Sequence, residues 1–277
     1  MQKNKSKHSS TMADFNLKKF LDEKVDFYNR TEFISNDPIS VPHRFTKKQD
    51  IEIAGLFAAL FAWGNRKTII NKSLELMELM ENAPYDFIMN TDWNENPEEF
   101  EIFTGFVHRT FNEMDLWHLL NFLKYHYWFC GETSLESAFT KGMKKNDKTI
   151  ENGLNGFYDY VFGYDEDAGF EQHCKKHIAA PKKNSSCKKL CMYLRWMVRN
   201  DKRGVDFGIW KKISSSQLVC PLDVHVTRVA GKLGLLNPKQ SGWQGALELT
   251  EQLRLLDKTD PVKYDFALFS LGVDEKF

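Results

Sequence analysis

Apolar residues recur every three to four positions along most of the chain, which is the spacing of amphipathic α-helices. Residues 51–63 are apolar on nearly every face and predict a buried central helix. A capping box at residues 46–49 would start this helix, and Gly64 would end it. Further helices are predicted over residues 66–81, 187–199, 224–234, 243–256 and from Pro261 onward.

The pattern between these helices is less regular. Residues 86–101 carry six acidic side chains and no basic one, and they predict a solvated connection. The phenylalanines from Phe100 to Phe111 then return at helical spacing, and Asp115 is suited to cap the next helix. No run of strands and no internal repeat is visible, so the sequence predicts an all-α fold.

The composition narrows the class of protein. The chain has 277 residues and is 42% hydrophobic, which is enough for one large core. Basic and acidic residues number 38 each, and a net charge of zero argues against coating nucleic acid by bulk charge. No apolar run approaches the about 20 residues that span a bilayer. The N-terminus lacks the apolar segment of a secretory signal, so we expect residues 1–12 to be a disordered tail.

The cysteines indicate the redox compartment. There are five, they are scattered, and they predict reduced thiols in the cytoplasm. Three of them, with two nearby histidines, could be read as metal ligands: His173, Cys174, His177, Cys187 and Cys191. A lysine-rich turn separates the two groups and their spacings match no familiar zinc module, so we expect buried thiols, no metal and no cofactor.

One stretch has a strongly positive net charge, although the chain as a whole is neutral. Residues 182–212 contain ten Lys or Arg and two acids, a net charge of +8. A solvated helix face with its loop would account for this charge. The basic residues also bracket the start of a helix, where free N–H groups and the helix dipole attract phosphate. The placement therefore favours a phosphate-binding surface.

Two segments within the C-terminal third resemble the two halves of a known active site. They are Lys188-Lys-Leu-Cys-Met-Tyr-Leu-Arg195 and Pro221-Leu-Asp223-Val-His-Val-Thr-Arg228. They are similar to the helix-hairpin-helix (HhH-GPD) DNA glycosylases, and closest in motif to the 8-oxoguanine glycosylases. Residues 53–60 and 71–73 resemble the buried helix and the following turn of that superfamily. The chain is also similar to a bacterial protein family of unassigned activity that carries this C-terminal signature.

The resemblance implies a two-lobed helical fold with a helix-hairpin-helix element near residues 170–199. The lobes would cover about 13–165 and 166–277 of a single unit. Two departures stand out. The hairpin has Asn184-Ser-Ser where relatives have a Gly-apolar-Gly turn, and 35 residues separate Lys188 from Asp223, more than in most relatives. The four-cysteine iron–sulfur motif of some relatives is absent.

The resemblance also assigns roles. Lys188 would be the nucleophile and Asp223 its electrostatic partner, with Lys189 the competing nucleophile. Residues 64–66 would lie where relatives place a wedge turn. The expected DNA and substrate contacts are Asn65, Arg66, Lys182, Lys183, Asn184, Ser185, Ser186, Lys189, Arg195, Trp196, His225 and Arg228. Aromatic walls for a flipped base could come from Trp63, Trp196, Trp210, Phe266 or Phe269.

The chemistry explains these residue types. A neutral lysine amine can attack C1′, expel the base and form a Schiff base, while a carboxylate stabilises positive charge on the sugar. Free lysine titrates near pH 10.4, so its pKa must be lowered by burial or by cationic neighbours. The base must leave the helical stack to reach such groups.

These observations lead to an expected function. The chain would be a bifunctional DNA glycosylase and AP lyase that removes an oxidised purine, with 8-oxoguanine as the first candidate. It would act as a monomer on damaged double-stranded DNA, in the nucleoid, with no membrane partner. The alternatives are a glycosylase for another lesion, a non-catalytic DNA- or RNA-binding protein on the same fold, and a protein-interaction domain. The lesion and the opposite base stay open.

Overall fold

The computed structural model describes residues 16–164, 171–237 and 239–277. Helices make up 62% of the chain and strands 2%, which confirms the all-α prediction. The predicted tail at residues 1–12 lies outside the described residues. The described helices are α1 (Leu17–Tyr28), α2 (Lys48–Phe61), α3 (Arg66–Leu79), α4 (Pro84–Asn90), α5 (Glu113–Lys124), α6 (Glu136–Thr140), α7 (Glu151–Gly163), α8 (Glu171–Cys174), α9 (Lys188–Val198), α10 (Val224–Lys232), α11 (Gly242–Leu256) and α12 (Asp265–Val273).

Helix α2 is the centre of the molecule. All its residues from Asp50 to Phe61 are buried, as the unbroken apolar pattern predicts. A Cβ on Gly55 would lie 2.8 Å from the Met197 side chain, so the glycine allows α2 and α9 to pack closely. The predicted capping box is wrong: Lys47 precedes the helix without a side-chain cap, and Gln49 donates instead to the Thr133 carbonyl.

A buried carboxylate joins α2 to three other segments. Glu52 accepts hydrogen bonds from Trp210 Nε1 at 2.6 Å, from the Tyr127 hydroxyl at 2.9 Å and from the Leu135 amide at 3.1 Å. Burial raises the pKa of Glu52, although these donors favour its charged form. The donors come from distant parts of the chain, so this one side chain fixes their arrangement around α2.

Residues 97–112 depart from the predicted helix. They form a 3₁₀ turn at Pro97–Phe103 and a small antiparallel pair of strands, β1 (Val107–His108) and β2 (Phe111–Asn112). Gly105 and Arg109 both have positive φ, which reverses the chain twice. Asn112 rather than Asp115 caps α5, and Asp115 completes the capping box as its third residue.

The last helices of the chain pack against its first one. Helix α12 contacts α10 and also α1, so the two ends of the described chain meet. A Cβ on Gly272 would lie 2.9 Å from His225 Cβ, which shows how closely α12 and α10 cross. One continuous apolar core runs from Leu21 to Leu271. The division into two lobes stays a prediction, since its boundary falls among undescribed residues.

The segment predicted to form the hairpin ends in α9. The short helix α8, a 3₁₀ turn at Pro181–Lys183 and α9 follow one another within residues 171–198. Asn184 and Cys187 adopt left-handed φ angles of 53° and 51°. These non-glycine residues provide the backbone conformation for which glycine is the usual choice. A tight turn therefore forms at Asn184-Ser-Ser without a glycine.

The left-handed conformation of Cys187 predicts a position-dependent cost. Cys187→Val places a β-branched side chain where φ is positive, whereas Cys191→Val makes the same change within regular helix. We expect the first variant to lose about 1–2 kcal/mol more of unfolding free energy than the second. Urea denaturation of both variants measures the difference. Equal losses at the two positions would contradict the strained turn.

Candidate active-site cleft

A cleft of about 1020 Å³ opens where the hairpin meets α3, α10 and α12. Its walls come from the 3₁₀ turns at Thr31–Asn36 and Pro38–Ser40, from the turn before α3 and from the facing ends of α9, α10 and α12. The charged and imidazole side chains along it are Asp37, Arg66, Lys67, Lys188, Arg195, Asp223, His225 and Asp265. Ionisable groups gathered in one concave surface indicate a functional site.

Lys188 and Asp223 face each other in this cleft. Lys188 Nζ lies 3.1 Å from Asp223 Oδ2, and their side chains are 34% and 9% exposed. Asp223 caps α10 as predicted, since its Oδ1 accepts from the His225 and Val226 amides at 2.8 Å each. One carboxylate oxygen therefore holds the helix start while the other holds the lysine. This leaves the carboxylate few orientations, which preorganises the pair.

The hairpin turn brings this pair together. Ser186 Oγ donates to the Leu222 carbonyl at 3.3 Å, and Leu222 directly precedes Asp223. The left-handed Cys187 then directs the chain into α9, whose first residue is Lys188. The hydrogen bond between Ser186 and Leu222 therefore keeps Lys188 and Asp223 close together, although they are 35 positions apart in sequence.

Three other predicted contact residues, Asn65, Arg66 and His225, also line the cleft. Asn65 caps α3 by accepting from the Thr68 amide at 3.3 Å. The Arg66 guanidinium lies over the Phe269 ring at 4.9 Å. His225 has a buried Nδ1 without a hydrogen-bond partner among the described residues. Of the five proposed aromatic walls, Trp63 and Phe269 line the cleft, whereas Trp196, Trp210 and Phe266 are buried in the core.

Arg195 reaches the cleft from inside the protein. It is 4% exposed and pairs with Asp265 and, at 3.3 Å, with Asp206. Burial, reinforced by the nearby Asp223, raises the pKa of Asp265 to about 6, although Arg195 acts to lower it. These two carboxylates already pair with the guanidinium. We therefore expect Arg195 to stabilise the wall of the cleft and not to bind a phosphate.

The remaining predicted contacts lie outside the cleft. Trp196 is fully buried, and Arg228 donates to the Gly272 carbonyl at 2.6 Å, at the end of α12. Lys182 pairs with Asp159, and both Lys182 and Lys183 lie over the Tyr158 ring. The exposed Asn184 and the neighbouring Ser185 form the hairpin turn, where Ser185 Oγ accepts from the Cys187 amide at 3.2 Å. These turn residues make a separate surface beside the site.

Lys189 points away from the cleft. Its Nζ donates to the Leu60 carbonyl at 2.5 Å, near the C-terminal end of α2, where the helix dipole favours a cation. Burial, and then the neighbouring Lys188, lower the pKa of Lys189 to about 8. Lys189, the competing nucleophile, is therefore bound to the central helix. Of these two lysines, Lys188 is the one that lines the cleft.

Two cleft carboxylates were not anticipated. Asp37 is 7% exposed, its Oδ1 accepts from the Ile39 amide at 3.0 Å, and burial raises its pKa. Asp265 opens α12. The sequence Asp-Pro before a helical turn is a recognisable cap signal for Asp37. Nothing local distinguishes Asp265, because its partner Arg195 lies 70 residues away.

Comparison with known families places the chain in one of them. The model of a family described as "Protein of unknown function (DUF2400)" matches residues 37–274, and the chain belongs to this family. No curated protein and no solved structure matches the chain. In the part of the chain that is described, no helix has the length and apolar character to cross a membrane.

The buried Lys189 predicts a pH effect on stability. Its pKa is about 8 in the folded chain against 10.5 for the free side chain, so the unfolded chain binds more protons between these values. Its contribution to stability therefore rises with pH across that window. We expect the unfolding free energy of wild type, minus that of Lys189→Met, to grow over the same window in urea titrations. The exposed Lys183→Met is the control, and a flat difference for Lys189→Met would contradict the burial of a cation.

Proposed function

We propose that this chain is a helix-hairpin-helix DNA glycosylase with AP lyase activity that removes an oxidised purine from double-stranded DNA. The observation that carries the proposal is the pair of Lys188 Nζ and Asp223 Oδ2, 3.1 Å apart in a cleft. Each residue stands in the sequence context that resembles this superfamily. The hairpin of α8 and α9, with Lys188 as the first residue of its second helix, supports the same assignment.

The proposed reaction uses the pair in two ways. Lys188 first gives one proton to solvent. Its neutral Nζ then attacks C1′ of the damaged nucleotide, the C1′–N bond breaks, and the base leaves with its electron pair and takes up a proton. Asp223 stabilises the positive charge that develops on the sugar. The lysine nitrogen, now bonded to C1′, loses one proton, and its lone pair forms the double bond of a protonated Schiff base as the C1′–O4′ bond breaks and O4′ takes up a proton. Loss of a C2′ proton to a base then expels the 3′ phosphate with the electron pair of the C3′–O bond.

The surroundings of the cleft fit a flipped nucleotide. Phe269 supplies an aromatic wall, and the exposed turn of Trp63, Gly64 and Asn65 stands at the rim, where a wedge would enter the duplex. The exposed hairpin turn at Asn184 lies beside Lys183, and a turn of this kind can bind backbone phosphates. Carboxylates such as Asp37 accept hydrogen bonds, which suits the N–H donors of an oxidised purine. Action on chromosomal DNA would place the protein in the nucleoid.

Borohydride trapping tests the lysine. We expect wild type to form a covalent complex with a labelled duplex containing 8-oxoguanine, and Lys188→Gln to form none. Lys145→Gln keeps Lys188 and should trap like wild type, since Lys145 is exposed and lies outside both the cleft and the hairpin turn. Duplexes with an abasic site, uracil or no damage complete the set.

The pattern of trapping separates the alternatives. Trapping only at the abasic site would keep the lyase chemistry and assign a different lesion. No trapping on any duplex by folded, DNA-binding protein would refute Lys188 as nucleophile and favour a binding protein on this fold. The absence of any salt-dependent duplex affinity would instead point to a protein-interaction domain.

Asp223→Asn isolates the role of the charge. Asparagine caps a helix about as well as aspartate, so α10 should keep its start. We expect the single-turnover rate of base release to fall about 100-fold or more, because a developing cation loses its counter-charge. The unfolding free energy should change by no more than about 1 kcal/mol, the range for a partly exposed ion pair. A rate within a few-fold of wild type would show that the carboxylate only caps the helix.

A further inference from the structure

Two histidines and an aspartate converge on the side of the molecule where α5 meets the first segment of the hairpin. His173 Nδ1 lies 2.7 Å from Asp115 Oδ1, and His177 Nε2 lies 3.2 Å from Asp115 Oδ2. The three ligand atoms are all within 4.8 Å of one another. The histidines are four residues apart, a spacing that lets two imidazoles share one metal ion.

The buried histidine gives an independent indication. His177 is 7% exposed, and its Nε2 has no hydrogen-bond partner among the described residues, although the Asp115 carboxylate is near. Its ring packs edge-on against Phe111, with the ring centroids 5.1 Å apart, and this contact restricts its rotation. A buried ring nitrogen without a hydrogen bond is costly, and a ligand at this point would satisfy it.

The aspartate is held in a fixed orientation. Asp115 is fully buried, and the Asn112 amide and His173 Nδ1 each donate a hydrogen bond to its carboxylate. Its Oδ2 accepts from that amide at 2.9 Å, which fixes the carboxylate at the start of α5. Cys174 Sγ donates to the backbone carbonyl of Asp115 at 3.9 Å, and we therefore place the sulfur outside the ligand set.

We propose that Asp115, His173 and His177 bind a divalent transition metal ion of the Zn²⁺ class, in a structural site outside the cleft. Imidazole nitrogens with one carboxylate oxygen suit Zn²⁺, Co²⁺ or Ni²⁺ and select against Mg²⁺. Tetrahedral bonds of about 2.0–2.1 Å would hold the ligand atoms about 3.3 Å apart, and the present atoms all lie within 4.8 Å of one another. The side chain of His173 is 41% exposed, so water can reach the fourth position.

Lys176 makes this site testable. Its Nζ lies 2.6 Å from His173 Nε2, so the neutral ring carries its proton on Nδ1 in the present arrangement. Metal binding at Nδ1 requires the proton to move to Nε2, and the exposed Lys176 then turns to solvent. The lysine therefore competes with the metal, both through this hydrogen bond and through its positive charge.

The site would join two parts of the chain. Asp115 belongs to α5, whereas the histidines precede the turn that leads into α9. Residues 165–170 connect these parts and lie outside the described residues. A metal ion would anchor the first segment of the hairpin to the helices before it, independently of any chemistry in the cleft.

Titration of the chelator-treated full chain with Co²⁺ and Zn²⁺ tests the proposal. We expect one ion per chain, visible Co²⁺ absorption of a four-coordinate site, and a rise in thermal midpoint with added Zn²⁺. His173→Ala should weaken binding about 100-fold or more, since loss of even an outer-shell partner costs 10- to 100-fold. Lys176→Met should tighten binding about threefold or more, because a nearby positive charge is removed.

Two matched results decide the outcome. Cys174→Ser should bind both ions like wild type, because the thiol is not a ligand. The metal-free His173→Ala chain should stay folded and lose no more than about 1–3 kcal/mol of unfolding free energy, because the buried Asp115 loses one hydrogen bond. Wild type that binds no ion, or His173→Ala that binds as tightly as wild type, would overturn the site. A loss of binding in Cys174→Ser alone would overturn this ligand set in favour of a thiolate.

Discussion

The buried ion pairs of α9 hold the C-terminal part of the molecule together. Arg199 is 2% exposed and contacts three aspartates, Asp201, Asp206 and Asp260, at 2.7–2.9 Å, while Arg195 contacts Asp206 and Asp265. Isolated buried charges would be strongly destabilising, so each arginine requires its carboxylates. The network ties the loop after α9 and the start of α12 to one helix. Because α10 packs on α12, the network of ion pairs also fixes where Asp223, at the start of α10, lies relative to Lys188.

This network changes the meaning of the basic stretch at residues 182–212. Arg195 in α9 and Arg199 directly after it are buried, and Arg203 pairs with Asp26 on the surface. Lys182 is engaged by Asp159, and Lys189 by the end of α2. What remains for phosphate is a smaller group of exposed lysines near the hairpin turn. The net charge of the segment thus overstated a DNA-binding surface, because charge counts do not distinguish a buried counter-charged guanidinium from a free one.

The sequence was most informative where local chemistry decides the structure. The apolar run of α2, the cap at Asp223 and the helix that begins at Lys188 all follow from short-range patterns. It failed where distant residues decide. Glu52 and Asp265 are explained only by partners far along the chain. The phenylalanines of residues 100–111 reach the core at helical spacing, yet two residues with positive φ fold that segment into a hairpin.

Several locally unfavourable features lie around the proposed site. Cys187 has positive φ next to Lys188, Asp37 and Asp265 are buried carboxylates, and His225 keeps an unpaired ring nitrogen. Each costs stability and persists only because its surroundings fix it. Two buried carboxylates and an unpaired imidazole nitrogen face the same opening as Lys188 and Asp223. Groups of this kind, fixed in one cleft by their surroundings, are what the proposed chemistry would require, because a nucleophile and its counter-charge must be held in fixed positions.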